Sequence, residues 1–279
     1  MSVLSNKIDF ALVFSVRNAN PNGDPLDGNR PRTTYDGNGE VSDVCLKRKI
    51  RNRLLDDGEP IFVQSDDHRA DEFRSLKDRA DANKSLKEKT KDKQEYAREA
   101  CRSWFDVRAF GQVFAFKKGK EDDGDAVSIG IRGPVTIQTA FSVEPVTVTS
   151  TQITKSVNLE TGADPDKKGN DTMGMKHRVD FGIYKTFGSI NVQCAQKTGF
   201  SEEDACKLKE ALRTLFRNDA TSARPDGSME VLKLIWWKHN CPSGQYSSAK
   251  VHKSLHIAAD GTVSFDTLDG LTPEVIDGE

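Results

Sequence analysis

The chain has 279 residues, of which 41 are basic and 43 are acidic, so its formal net charge is only -2. That length allows one large domain or two average ones, with a sizeable core. The near balance of charge argues against a surface that binds polyanions everywhere, so any such site must be local. The five cysteines form no C-x-x-C pair, which argues against a disulfide framework and against a structural zinc site.

The sequence also lacks the features of membrane and nucleotide-binding proteins. No apolar run approaches the roughly 18 residues that a membrane span needs, and the N-terminus has no basic segment followed by a long apolar one. The glycines match neither G-x-x-x-x-G-K-[ST] nor G-x-G-x-x-G. We therefore expect a cytoplasmic protein with no membrane partner and no cofactor.

The first predicted element is a buried central strand over residues 7–17, KIDFALVFSVR, which ends at the turn-rich sequence NANPNGDPLDGNRPR. A helix over residues 42–57, SDVCLKRKIRNRLLDD, follows this loop. Ser42 is a favourable N-cap residue, and apolar side chains recur every four residues as a stripe that must face a core. These side chains are Leu46, Ile50 and Leu54.

This helix carries five cations between residues 47 and 53. Lys47 and Arg51 are four residues apart and therefore lie along one flank of the helix. Paired cations on such a flank can hold successive phosphates of a nucleic-acid backbone. A solvated basic face is the alternative interpretation of the helix taken alone.

The middle of the chain predicts an insertion and then a β-rich region. Residues 69–102 mix acids and bases with few apolar positions, which predicts a helical insertion with one shallow face. From residue 108 the sequences RAFGQVFAF and VSIGIRGPVTIQTAFSV predict strands. Residues 147–155 and 178–187 predict two more strands around a polar loop of about twenty residues, which together predict a projecting arm or hairpin.

The last third of the chain predicts a strand over residues 189–198, a helix over residues 201–216 and a strand over residues 230–239. Ser201 and Asp204 approximate a capping box at the start of that helix. A further hairpin is predicted near residue 260. Without its insertions, the order of elements is β-α-β-β-α-β, which predicts an α+β fold of the ferredoxin-like or RNA-recognition type in a single domain.

Polar side chains cluster near the end of the first strand and in the predicted arm. Those near the strand would line a groove suited to a sugar-phosphate track. They are Arg17, Asn18, Asn20, Asn22, Arg30 and Arg32. In the arm, Met173 and Met175 precede Lys176 and His177, and a methionine there is either a wedge between bases or an apolar plug against a neighbour. A solvated loop tip is the third interpretation.

Catalytic and metal-binding patterns are weaker. Asp24, Asp27 and Asp36 follow the first strand and could hold a hydrated Mg²⁺ for phosphodiester cleavage, but aspartates in such turn-rich sequence more often cap their own backbone. The histidines accompany no nucleophile in a recognisable motif. His252 and His256 have the spacing of a metal-binding pair on a helix, yet their neighbours are more typical of a strand.

Several blocks of this sequence together resemble the CRISPR-associated backbone subunit of type I Cascade effectors, a branch of the RAMP superfamily. The blocks are NANPNGDP, DGNGEVSDVCLKRKIRNRL, DVRAFGQVFA, GPVTIQTAFS, MGMKHRVDFGIY and TGFSEEDACKLKEAL. The chain looks most like the subtype I-C member. The resemblance implies a palm of RNA-recognition type with a helical finger insertion and a β-hairpin thumb.

On this chain the palm would be residues 7–56, 106–145 and 184–240, the fingers residues 58–105, the thumb residues 146–183 and a C-terminal tail residues 241–279. The resemblance also implies that copies polymerise as a helical filament along one CRISPR RNA, with other Cascade subunits, and present its bases to target DNA. Lys47 and Arg51 would then grip phosphates, and Met173 or Met175 would form the wedge of the thumb.

The predicted RNA-binding residues are Arg17, Asn18, Asn20, Asn22, Arg30, Arg32, Lys47, Arg51, Arg108, Met173, Met175, Lys176 and His177. The resemblance implies a non-catalytic scaffold. One alternative is a metal-dependent ribonuclease of the same superfamily that uses Asp24, Asp27 or Asp36. A second alternative is a structural filament protein that binds no nucleic acid.

Overall fold

A computed structural model describes residues 2–88, 92–116, 127–154 and 173–279 of the chain. Its strands are β1 (Ile8–Ala19), β2 (Gly23–Asp24), β3 (Arg30–Pro31), β4 (Asn38–Val41), β5 (Gly111–Phe116), β6 (Val127–Arg132), β7 (Val135–Ile137), β8 (Ala140–Pro145), β9 (Val148–Thr154), β10 (Met173–Ile190), β11 (Met229–Lys238), β12 (Leu255–Ile257), β13 (Val263–Phe265) and β14 (Glu274–Asp277). Its helices are α1 (Asp43–Asp56), α2 (Leu76–Ala82), α3 (Lys84–Glu88), α4 (Lys93–Ser103), α5 (Phe105–Phe110), α6 (Val192–Thr198), α7 (Glu202–Arg213) and α8 (Ser248–Lys253).

β1 lies at the centre of the main sheet and pairs antiparallel with β10 on one side and β11 on the other. The order across this sheet is β14-β11-β1-β10-β8-β4, and the short strands β7 and β9 also pair with β10. Along the chain, β1, α1, β8, β10, α7 and β11 occur in the order β-α-β-β-α-β, with β10 in the place of the strand predicted over residues 189–198. The prediction of a mixed α+β fold is confirmed, and the main sheet is antiparallel.

The side chains of β1 alternate between two buried faces of the sheet. Phe10, Leu12 and Phe14 enter a core that also contains the apolar stripes of α1 and α7. Ala11 and Val13 enter a second core, against α8 and the C-terminal segment. Because both faces are covered, β1 is buried along residues 8–14, and its far end at Arg17 and Asn18 is exposed.

The C-terminal segment, residues 241–279, is therefore part of the folded body. Its strand β14 pairs with β11 at one edge of the main sheet, and β12 pairs with β13 in the hairpin predicted near residue 260. Trp236 packs in the core of α1 and α7, and Trp237 packs in the core beneath the C-terminal segment. The two tryptophans thus lie on opposite faces of β11, as strand geometry requires.

The two predicted helix starts are confirmed by their hydrogen bonds. The Ser42 side chain accepts a bond from the Cys45 backbone N–H at the start of α1. Ser201 and Asp204 form a reciprocal capping box at the start of α7, in which each side chain accepts a bond from the other's backbone N–H. Such caps satisfy backbone donors that have no partner within the helix.

The insertion has a core of its own, which the sequence did not lead us to expect. Phe62, Tyr96, Trp104 and Phe114 pack together with ring centroids between 4.6 and 5.3 Å apart. The prediction of one shallow face over residues 69–102 was therefore wrong, because aromatic residues on either side of that charged region complete a second packed cluster.

Two predicted strands were also wrong in part. Residues 189–198 contain only the end of β10, and then Asn191 caps the helix α6, which ends at Gly199 with φ 78°. Residues 108–110 complete α5, and the predicted strand begins only at β5. None of the described helices is long and apolar enough to cross a membrane.

Candidate nucleic-acid interface

Three segments meet where β1 ends: the loop of β2 and β3, the N-terminus of α1 and the two-stranded arm of β9 and β10. Asn22 joins the first two, because its Oδ1 accepts hydrogen bonds from the Ser42 backbone N–H at 3.0 Å and from the Ser42 hydroxyl at 2.9 Å. Asn20 is buried and its Nδ2 donates to the Asn29 carbonyl at 2.7 Å. Both amides therefore hold the loop in shape.

The loop also contacts the arm through a shared hydroxyl. Arg30 Nη1 donates to Ser150 Oγ at 2.9 Å, and His177 Nδ1 lies 2.8 Å from the same oxygen. Arg32 Nη2 lies 3.3 Å from the Asp24 carboxylate on the same loop. Both guanidinium groups remain partly exposed, so they present positive charge beside the base of the arm.

The arm presents two different faces. Register pairs Met173, Met175 and His177 of β10 with Thr154, Gln152 and Ser150 of β9, and these residues share one face. The methionine side chains are 65% and 55% exposed. Lys176 lies on the opposite face of the arm, so the methionines and Lys176 point in opposite directions.

The prediction that Met173 to His177 form a loop tip was wrong, since these residues lie in the long strand β10. That strand continues without a break from the arm into the centre of the main sheet. The connection between β9 and β10, where the predicted tip of the arm falls, lies outside the described residues.

Arg17 and Asn18 lie at the exposed end of β1. The Arg17 guanidinium carbon is 4.7 Å from the centroid of the Phe181 ring on the neighbouring strand. Asn18 adopts a left-handed backbone conformation, φ 53°, where the strand turns into the loop. The Phe181 ring is partly exposed beside this arginine, and it was not among the predicted site residues, because the sequence of residues 178–187 indicated only a strand.

The cations of α1 are mostly directed into the protein. Arg48 donates to the Val63 carbonyl at 2.7 Å, Arg53 donates to the Thr214 hydroxyl at 2.9 Å, and Lys49 pairs with Asp219. Burial lowers the pKa of Lys49, and the neighbouring Asp219 carboxylate opposes that shift. Lys47 is more exposed than Lys49 and Arg51, and it pairs with Asp43 one turn earlier at 3.0 Å.

Arg51 makes a structural contact across the domain. Its Nε lies 2.9 Å from the fully buried carboxylate of Asp106, and its guanidinium carbon lies 5.1 Å from the centroid of the Phe110 ring. Asp106 also accepts from the backbone N–H groups of Phe62 and Val63 at 2.7 and 3.0 Å. The pair thus joins α1, α5 and the start of the insertion.

Arg108 makes a comparable contact with α7. Its guanidinium donates two bonds to the Asp204 carboxylate, at 2.7 and 3.0 Å. Burial alone would raise the pKa of Asp204, but Arg108 and the Ser201 backbone N–H together hold that pKa below its ordinary value. The RNA-binding roles predicted for Arg51 and Arg108 stay predictions, and the structure gives each residue an internal partner.

The aspartates considered for catalysis contact different partners. Asp24 Oδ1 accepts from the Leu26 backbone N–H at 3.0 Å, in the turn that the sequence favoured, and also faces Arg32. Asp27 lies 3.8 Å from Arg30. Within the four described ranges, no group of three or more histidine, cysteine or acidic side chains could hold a metal ion.

The two histidines with helical spacing do not act together. His252 Nε2 lies 3.2 Å from the Gly188 carbonyl, whereas His256 pairs with Asp266 at 3.0 Å. The expectation that both lie in a strand was wrong for His252, which belongs to α8.

Comparison with known proteins gives the family. The profile of the family described as CRISPR-associated protein Cas7 matches residues 6–269. The chain belongs to the Cas7 family. A curated relative from Haloferax volcanii, also described as CRISPR-associated protein Cas7, is 25% identical over 97% of this chain and 81% of its own length.

Two solved chains are also similar to this Cas7-family chain. One, described as "CRISPR RNA-guided surveillance complex, pre-nicking", has a TM-score of 0.47 and 12% identity over 83% of this chain and 78% of its own. The other, described as "CRISPR RNA-guided surveillance complex", has a TM-score of 0.46 and 17% identity over 92% of this chain and 77% of its own.

Proposed function

We propose that this chain is a non-catalytic backbone subunit of a type I Cascade complex, which binds CRISPR RNA and presents its bases to target DNA in antiviral defence. Membership of the Cas7 family supports this proposal. The observation that carries it is the surface around Ser150, where loop, arm and the end of β1 bring exposed cations beside two exposed methionines. Such a surface can follow a phosphate backbone and separate bases without reading their sequence.

In this proposal the main sheet with α1 and α7 is the palm, the insertion is the finger region and the arm is the thumb. Arg17, Arg30, Arg32, Lys47 and Lys176 contact phosphates, and Met173 or Met175 is the wedge. Asn18 and His177 contribute polar contacts at the same surface. Asn20, Asn22, Arg51 and Arg108 position this surface through their internal partners, and direct contact of these four residues with RNA stays a prediction.

Copies of the chain would bind side by side along one guide, together with other Cascade subunits. Each copy then needs only a narrow cationic track, because its neighbours extend that track. The near-neutral net charge of the chain suits this arrangement. The subtype, which the sequence relates to I-C, is part of the proposal.

The test is to co-express the chain with a CRISPR array and the other subunits, purify the assembly and size its RNA. We expect RNA of one uniform length, equal to the processed guide. Assemblies without RNA would refute RNA binding, and RNA of random length would refute a guide-bound backbone.

A second measurement locates the interface. Arg30→Ala together with Lys176→Ala should weaken binding of single-stranded RNA of any sequence and make the log-log salt dependence shallower by about 1.4, since each lost phosphate contact on a single strand contributes about 0.7. The matched control is Lys209→Ala with Lys238→Ala, two partly exposed lysines that pair with Glu274 and Glu202 elsewhere on the surface. Equal effects of the two double variants would contradict the assigned interface.

A further inference from the structure

The end of β1 holds an aromatic ring and a guanidinium in contact. Arg17 and Phe181 are direct register partners on β1 and β10, so their side chains leave the sheet on the same face. The guanidinium carbon lies 4.7 Å from the ring centroid, a cation-π contact. Because both strands are central strands of the main sheet, the backbone on which this pair lies is rigid.

The pair is exposed although most aromatic rings of the main sheet are buried. Phe14 and Tyr184, for example, stack on each other beneath α1 and α7, whereas the Phe181 ring is 42% exposed. Among the described residues no carboxylate pairs with Arg17, so its charge is not neutralised within that part of the chain. An exposed ring beside an arginine that has no carboxylate partner among the described residues offers a surface on which a planar group can stack.

The position of the pair relates it to the proposed interface. Phe181 lies on the same strand as the arm, four residues after His177, and Arg17 directly precedes Asn18 and the loop. A single-stranded backbone held by Arg30 beside His177 and Ser150 would therefore pass close to this end of β1. A phenyl ring contributes nothing to phosphate binding, so a role of Phe181 at this interface would concern the bases.

We propose that Arg17 and Phe181 form a stacking platform for one nucleobase of the bound single-stranded RNA, at the base of the arm. This inference rests on the proposed RNA-binding function. Every base has a planar π face, so stacking on a ring and a guanidinium tolerates any sequence. The platform would hold one base in a defined position in each copy, and the guanidinium would add attraction to the adjacent phosphate.

The test measures binding of single-stranded RNA to the full chain with Phe181→Leu, Phe181→Trp and Phe141→Leu. Phe141 is the matched control, because it is 41% exposed on β8 and lies opposite Lys185, away from the arm. We expect Phe181→Leu to weaken binding about tenfold, the size of one lost base stack, with an unchanged salt dependence. Phe181→Trp should retain affinity, and its indole fluorescence should be quenched when RNA binds.

The outcomes separate this inference from the function on which it rests. If the wild-type chain binds RNA and Phe181→Leu binds equally well, the stacking platform is refuted while the proposed function stands. Equal losses for Phe181→Leu and Phe141→Leu also refute it, since the effect would then not be local. If the wild-type chain and its assembly bind no RNA, the proposed function itself fails. Thermal unfolding midpoints of the variants check that each one folds.

Discussion

Lys47 and Arg51 lie one helical turn apart on α1, yet their surroundings differ. Lys47 is partly exposed and pairs with Asp43 on its own helix, whereas Arg51 is largely buried against Asp106. Spacing along a helix predicts the direction in which a side chain points, but it does not predict which residue of another segment the side chain contacts. Asp106 is fifty-five residues further along the chain, and no local pattern connects it to Arg51.

We predict that Arg51→Met destabilises the fold far more than Lys47→Met. Loss of Arg51 leaves the buried Asp106 carboxylate without its counter-ion, which costs about 3 to 5 kcal/mol, while an exposed pair within one helix contributes less than about 1 kcal/mol. Urea unfolding of both variants measures the difference. Similar small losses would show that the two backbone N–H bonds to Asp106 suffice without the arginine.

The same contrast explains which site residues could be predicted. The caps at Ser42 and Ser201 and the stripe of Leu46, Ile50 and Leu54 depend on neighbours within a few residues, and the structure confirms them. The sequence also indicated the cluster at the end of β1, because its residues are close together in the chain. The sequence did not indicate the contact between Arg30 and Ser150, because these two residues are distant in the chain.

At the scale of elements, the segment after β10 shows how a strand pattern can mislead. Ile190 and Val192 favour a strand, and they continue the apolar run of β10. Asn191 and Gly199, however, are typical helix boundary residues, and they enclose α6 in the structure. The boundary residues were the better guide because an Asn cap and a glycine with positive φ fix the ends of a helix, whereas apolar residues can be buried in either a helix or a strand.

We predict that Gly199→Ala costs about 1 kcal/mol of stability. The residue has φ 78°, a left-handed conformation that a side chain disfavours, although a Cβ there would meet no atom within 4 Å. Gly130→Ala is the matched control, since it also has open space but no positive φ, and it should cause no loss. Chemical denaturation of the two variants measures their free energies of unfolding. Equal losses for Gly199→Ala and Gly130→Ala would exclude backbone strain at Gly199 as the cause.

At the scale of the whole molecule, the sheet is a layer between two cores. One core contains α1 and α7, which the sequence predicted from their apolar stripes. The other lies beneath residues 241–279, which the sequence indicated only as a tail with a hairpin. The second layer could not be predicted from periodicity, because its apolar residues are scattered over short elements and are buried only against the sheet.

This second layer also limits where nucleic acid can bind. Modules of RNA-recognition type use exposed aromatic rings on the sheet to stack bases. Here Trp237, Ile235 and Val13 are covered by α8 and the C-terminal hairpin. The end of the sheet near Arg17 and Phe181 is open beside the arm, which is consistent with an interface at that end rather than across the face covered by α8.

If the C-terminal segment stabilises the whole molecule, the loss of stability caused by a substitution within it should depend on how deeply the side chain is buried and not on its position in the chain. Val251 of α8 is fully buried against the sheet, and Val275 of β14 is 44% exposed. We predict that Val251→Ala costs about 2 to 3 kcal/mol, through lost burial and a residual cavity, while Val275→Ala changes stability by less than about 0.5 kcal/mol. The urea midpoints of the two variants, analysed with the same dependence of unfolding free energy on urea concentration, measure both changes in stability. Equal small effects would mean that the segment is a dispensable tail, and the sheet would then need another source for the stability of its second face.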